Sequence, residues 1–230
     1  MQFLKDITRL FYPELCVNCN NNLYDNELIL CTSCNFNLPL LIINDYSNNF
    51  VTQCFYGKIP VKLGASLLAF KKENSTQQII HDLKYKNNQE VGNFLGYLLG
   101  KQLKESTKFS NIDYIIPVPL HVKKLQQRGY NQVTTFANTI ANELNTKVNT
   151  QVLKRVNKNT SQTFKNRFER FSDTNTTFEI TDTNTLINKH VLLVDDVITT
   201  GATLEACCNE LLKTKNITIS IATMAFTEKS

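Results

Sequence analysis

Apolar residues along this chain follow two rhythms, and the switches between them mark out its elements. Phe3, Leu4, Ile7, Leu10 and Phe11 recur at helical spacing and predict a short opening helix. Val61 to Phe70 reads as a strand. Ser75 is the expected N-cap of a helix through Lys86, with Ile79, Ile80 and Leu83 on its buried face. A second helix is expected from about Val91 to Leu103. Asp113 to Val118, rich in β-branched residues and closed by Pro117 and Pro119, predicts a buried strand running into a tight loop. Gln132 to Leu144 reads as a helix and Gln151 to Val156 as a strand. Asn157 to Thr177 is polar and without clear period, and so long a loop inside a compact domain is usually functional or mobile. The chain then alternates: strand His190 to Asp195, helix Ala202 to Lys213, strand Ile217 to Phe226. That order predicts an α/β fold with an open, mostly parallel sheet flanked by helices.

A length of 230 residues holds one α/β domain and a small appendage. The net charge of +5 suits phosphate-bearing ligands but is too small to demand nucleic acid. No apolar run approaches the length needed to span a bilayer. Lys5, Asp6 and Arg9 interrupt the first apolar residues and no small-residue cleavage site follows, so a signal peptide is not expected and the localisation read from the sequence is cytoplasmic. The same mixture of charge signs favours an opening helix docked on the body over one lying on a membrane surface.

In a reducing compartment, seven cysteines point to metal binding before disulfides. Cys16-x-x-Cys19 and Cys31-x-x-Cys34 form two turns, each able to place two thiolates on one ion, and four sulfurs select zinc. A redox pair would need one such turn beside a thioredoxin-like βαβ unit, and none follows. A closed four-sulfur site has no open position for chemistry, so its expected role is structural or in docking. Between Cys16 and Cys34 there is no Lys or Arg, while Asp25 and Glu27 are present, which argues against a DNA-binding finger and for a folding staple. Cys54, Cys207 and Cys208 read as ordinary buried thiols.

The most informative segment is Val191-Leu192-Leu193-Val194-Asp195-Asp196-Val197-Ile198-Thr199-Thr200-Gly201-Ala202-Thr203. Four apolar residues predict a strand in mid-sheet, and two carboxylates sit at its carboxyl end, where open α/β sheets place ligands. The small and hydroxyl residues that follow, opening a helix, offer backbone N–H groups and a positive helix end to a phosphate. Carboxylates beside a phosphate cradle make sense if they accept hydrogen bonds from neutral sugar hydroxyls, as in a ribose phosphate. Magnesium-binding phosphatase or receiver-like domains also carry acidic pairs, but do not require the Thr-Thr-Gly-x-Thr loop directly afterwards.

This order of residues resembles the phosphoribosyl-pyrophosphate motif of type I phosphoribosyltransferases. The resemblance implies that Asp195 and Asp196, the candidate catalytic residues, hold the ribose hydroxyls and that Val197 to Thr203 wraps the phosphate. Pro117-Val118-Pro119-Leu120-His121, Arg128-Gly129-Tyr130-Asn131-Gln132, Leu83-Lys84-Tyr85-Lys86 and the Arg155 and Gln162 spacing further resemble the ComF (competence protein F) family. The loop from Pro117 to Lys124 is expected to meet the pyrophosphate, its prolines removing two N–H donors and Lys123, Lys124 and Arg128 supplying charge. Arg155, Arg167 and Arg170 are the candidates to fold over pyrophosphate. His121 is read as structural. The expected divisions are 1–40 for the opening helix and cysteine module, 41–110 for a hood and linking segment, and 111–230 for the core. The resemblance implies magnesium beside zinc, and phosphoribosyl transfer to an acceptor that the hood region (about Cys34 to Tyr85) does not spell out. A second class, a non-catalytic partner in DNA uptake that meets single-stranded DNA or a helicase-like protein, is permitted by the basic segment Lys154 to Lys165.

Overall fold

The computed structural model describes residues 13–71, 74–86, 88–157 and 176–227. The expected opening helix, Gln162, Arg167, Arg170 and most of the 157–177 segment lie outside them. Strands β1 (Val61–Phe70), β2 (Tyr114–Pro117), β3 (Lys147–Val148), β6 (His190–Ile198) and β7 (Thr218–Thr227) form one sheet in the order β1-β7-β6-β2-β3. Every neighbouring pair is parallel, which gives the expected α/β class. The residues read as a strand at Gln151 to Val156 lie elsewhere: β4 (Leu153–Asn157) pairs antiparallel with β5 (Thr176–Ile180) as a separate ribbon.

The helices, in chain order, are α1 (Thr32–Phe36), α2 (Phe50–Gln53), α3 (Ser75–Tyr85), α4 (Gln89–Glu105), α5 (Val122–Arg128), α6 (Gln132–Leu144) and α7 (Ala202–Leu211). One face of the sheet is covered by α3, α4 and α6, whose Leu83, Leu95, Leu99, Phe136 and Ile140 join Leu192, Val194 and Met224. The other face packs Val51, Phe55, Leu204, Cys207 and Leu211 against Val191, Leu193 and Ile221. Alternate residues of β6 therefore serve opposite cores, as a pleated strand requires. Val191 to Val194 have no exposed surface, and each such side chain contributes about 2 kcal/mol through burial.

Several expectations need correction. The cap of α3 is Asn74, whose side chain accepts the Gln77 N–H at 3.2 Å, and Ser75 is the first helical residue. The Pro117 to Lys124 loop is cut short by α5, capped by His121 through Nδ1. β2 lies inside the sheet, as the buried strand expected there, and β1 joins the sheet at one edge. β6 also runs past Asp195: it leaves β2 at Val194 but stays paired with β7 as far as Ile198. The pleated ladder on one side thus outlasts that on the other, and an opening begins beside the two carboxylates. Cys54 is half-buried, whereas Cys207 and Cys208 are buried as expected. No helix among the described residues is long and apolar enough to cross a membrane.

Close approach of α4 to α6 depends on glycines one turn apart, Gly92, Gly96 and Gly100, on the contacting face. A Cβ at Gly96 would lie 2.8 Å from the Phe136 carbonyl oxygen, and one at Gly100 2.9 Å from the Glu143 side chain. Backbone cannot yield as a side chain can, so Gly96→Val should destabilise the fold by about 2 kcal/mol in urea denaturation. A variant as stable as wild type would mean that the two helices are not held at this spacing.

Candidate functional site

The four cysteines come together around one point. Their sulfur atoms all lie within 4.8 Å of one another, and Cys19 and Cys31 are 3.7 Å apart. A tetrahedral zinc with bonds of about 2.3 Å spaces its sulfurs by about 3.8 Å, so the cluster has the donor set and dimensions of such a site. Burial alone would raise the Cys16 thiol, but the N–H groups of Cys19, Cys31 and Asn18 directed at it outweigh that and bring it down to about 7. Burial pushes Cys34 up to about 12, although the Asn18 amide donates to its sulfur at 3.3 Å. Sulfurs this crowded ionise together only with a cation between them. Glu27 closes the loop between the two turns by accepting from the Tyr24 N–H at 2.8 Å and the Thr32 hydroxyl at 2.7 Å. Cys16, Val17, Ile29, Leu30 and Leu38 are buried in the same cluster as α3, α4 and α6, so the module is packed on the body.

The second site lies at the carboxyl ends of the strands. Because successive residues of β6 point to opposite faces, Asp195 turns towards α7 and β4 and Asp196 towards α3 and α6. Asp196 Oδ2 receives the Lys84 ammonium at 2.8 Å and the Gln132 amide at 3.0 Å. Asp195 Oδ1 accepts the Asp196 N–H at 2.8 Å. Burial and the neighbouring Asp196 charge push the Asp195 carboxyl up to about 8, against weaker pulls from the Asp196 N–H, Lys84 and Arg155.

Both carboxylates line a cavity of about 190 Å³ together with Lys84, Lys124, Arg128, Arg155 and Thr203. Of the sequence candidates for charge, Lys124, Arg128 and Arg155 therefore meet at the acidic pair, Lys123 does not line the cavity, and Arg167 and Arg170 lie outside the described residues. Lys84 is the residue that sequence reasoning overlooked as a site group. Its motif was visible, but the pairing with Asp196 is long-range and leaves no local signal. The Val118 N–H between the two prolines is already given to the Val194 carbonyl at 2.8 Å, so side chains supply the cations on this wall.

The five residues from the end of α5 to the start of α6, Arg128 to Gln132, connect these parts. Gly129 ends α5 with φ +75°, a conformation glycine adopts without strain. The Arg128 guanidinium lies 5.1 Å from the Tyr85 ring, and the Tyr130 hydroxyl donates to the Leu83 carbonyl beside Lys84. Asn131 caps α6 and donates to the Val118 carbonyl at 3.0 Å. Gln132 then reaches Asp196.

Beyond the pair, Thr199, Thr200, Ala202 and Thr203 are exposed around a hollow of about 30 Å³ that also touches Asp195. Gly201 begins α7 with φ +79°, and a Cβ there would meet the Phe55 ring at 3.1 Å. This loop and helix end offer donors to an anion, with carboxylate acceptors and cations beside them in the neighbouring cavity.

Two outcomes follow from these geometries. Zinc content of purified protein should be one ion per chain, and Cys34→Ser should lower it sharply, as read by metal analysis. For Asp195, a carboxyl raised in the folded state binds a proton that the unfolded chain has lost above about pH 4. Its contribution to stability therefore falls as pH rises from about 4 to 8. Asp195→Asn should gain stability relative to wild type between pH 5 and pH 8 in urea titrations; a constant difference would contradict the raised value.

Residues 134–230, from within α6 through β7, match the family model for the phosphoribosyl transferase domain. No curated protein matches the chain. Solved structures similar to it include a purine phosphoribosyltransferase from Pyrococcus horikoshii Ot3 (21% identity, 60% of this chain and 77% of that one, TM-score 0.38). They also include adenine phosphoribosyltransferases from Saccharomyces cerevisiae (20%, 60% and 70%, TM-score 0.39) and Leishmania tarentolae (12%, 70% and 91%, TM-score 0.41). The parallel sheet with helices on both faces and the domain match at its carboxyl half together give a phosphoribosyltransferase fold, with a four-cysteine cluster at the amino-terminal side.

Proposed function

We propose that the chain binds phosphoribosyl pyrophosphate and transfers its phosphoribosyl group to an acceptor, releasing pyrophosphate. The supporting observation is the convergence of Asp195, Asp196 and four cations on one cavity, next to the Thr199 to Thr203 loop. In this reading the loop takes the 5-phosphate, the carboxylates take the ribose hydroxyls, and Lys124, Arg128 and Arg155 neutralise the pyrophosphate. Arg167 and Arg170 are further candidates for that task. The bond from C1 to the pyrophosphate oxygen breaks, the bond from C1 to the acceptor forms, and the acceptor loses a proton. Positive charge develops on the ribose ring as pyrophosphate leaves, so holding the leaving group's charge and the line of attack supplies most of the catalysis.

Among the described residues, the one group of three or more side chains suited to a metal is the four-cysteine cluster. Magnesium would therefore be held mainly by the substrate's own phosphate and hydroxyl oxygens, adding charge neutralisation at the leaving group. Zinc at the cysteines would be structural. The divisions 1–40, 41–110 and 111–230 serve here as divisions of role: metal staple, acceptor hood and phosphoribosyl core. In the same reading, which follows the ComF resemblance, the activity would serve DNA uptake, with single-stranded DNA or a helicase-like protein as the further partner and the cytoplasm as its location.

Calorimetric titration with phosphoribosyl pyrophosphate should show binding that strengthens with magnesium. Replacing Asp195 and Asp196 together by Asn should abolish it while leaving the melting transition in place. Equal affinity in the double variant would remove the carboxylates from the site.

A further inference from the structure

Each carboxylate of the acidic pair is held by one oxygen. Asp195 Oδ1 is bonded to the Asp196 N–H, and Asp196 Oδ2 is shared by Lys84 at 2.8 Å and Gln132 at 3.0 Å. The other oxygens, Asp195 Oδ2 and Asp196 Oδ1, make no hydrogen bond among the described residues. Two acceptor oxygens on adjacent residues are thus left at one cavity.

Neither donor to Asp196 is there by chance of a long, mobile side chain. Lys84 follows the wholly buried Leu83, whose carbonyl is held by the Tyr130 hydroxyl, and precedes Tyr85, which lies against Arg128. Gln132 is the first residue of α6 and only 3% exposed. Its Oε1 is buried with no partner among the described residues, a loss of stability that an apolar side chain of the same size would avoid. A residue kept at such a cost, with its one bonded group on the carboxylate, serves the carboxylate.

We propose that Lys84 and Gln132 are positioning residues. By occupying Asp196 Oδ2 they orient the carboxylate and leave Oδ1 for a ligand hydroxyl, so that the pair recognises a pentose 5-phosphate with two adjacent hydroxyls. This rests on the phosphoribosyl reading and adds to it the residues that set its sugar preference. The Lys84 charge also offsets that of Asp196, which an anionic ligand would otherwise meet on entry.

The test uses the full, zinc-loaded chain. Affinity for phosphoribosyl pyrophosphate is measured for wild type, Lys84→Met, Lys84→Arg and Gln132→Met. Ribose 5-phosphate and 2-deoxyribose 5-phosphate are then compared as competitors. Lys84→Met and Gln132→Met should each weaken phosphoribosyl pyrophosphate about tenfold, the size of one lost hydrogen bond to a charged group. Both should narrow the preference for ribose over deoxyribose, Lys84→Arg should keep most of it, and Gln132→Met should melt no lower than wild type. Wild-type affinity and preference in both variants, or losses that only follow lowered melting, would overturn the inference. A folded wild type that ignores phosphoribosyl pyrophosphate would instead overturn the reading beneath it.

Discussion

Two neighbouring carboxylates at the end of a buried strand must be kept apart, and the pleat of β6 does this. One side chain goes to each face of the sheet, so each aspartate meets a different set of helices. The arrangement on the α3 and α6 side follows from Asp196 needing donors there, and that on the α7 and β4 side from Asp195 having few. Because β2 separates from β6 at Val194 while β7 continues, the carboxylates open into a cavity and are not sealed into the ladder. Like charge, pleat and split sheet together create a place where cations and hydroxyl groups are both welcome.

The segment from Arg128 to Gln132 links that place to the rest of the body. Within five residues it ends one helix, begins the next, rests on Tyr85, grips Leu83, ties down Val118 and meets Asp196. These contacts join three elements distant in sequence, which makes the geometry of the acidic pair a property of tertiary packing. The glycine spacing between α4 and α6 contributes at one remove, since it sets where α6 begins relative to the sheet.

Features that depend on near neighbours were readable from the chain alone. Val191 to Val194 is too apolar for anything but mid-sheet, the cysteine turns declare their own partners, and the small and hydroxyl residues after Asp196 mark a loop that opens a helix. What escaped reading depends on distant contact. β3 is two residues long and has no period to detect, while β4 joins a ribbon whose partner follows a long polar stretch. Lys84 looks like any lysine in the last turn of a helix until Asp196 is beside it. The extra residues of β6 were missed because the pairing strand, β7, and not the local sequence, carries them.

Strand order also governs how the chain can come together in time. β1 has β7 as its neighbour in the sheet, and Ser66 meets Thr223 across a separation of 157 residues. At ribosomal rates of roughly 5–20 residues per second, about eight to thirty seconds pass between the emergence of one strand and that of the other. Through that interval the apolar run Leu63 to Leu68 has the Pro39 to Leu41 backbone beside it but no strand of the sheet to join. Closure of so long a loop comes late and slowly, and a nascent chain with such a run exposed is a natural client for a holding chaperone.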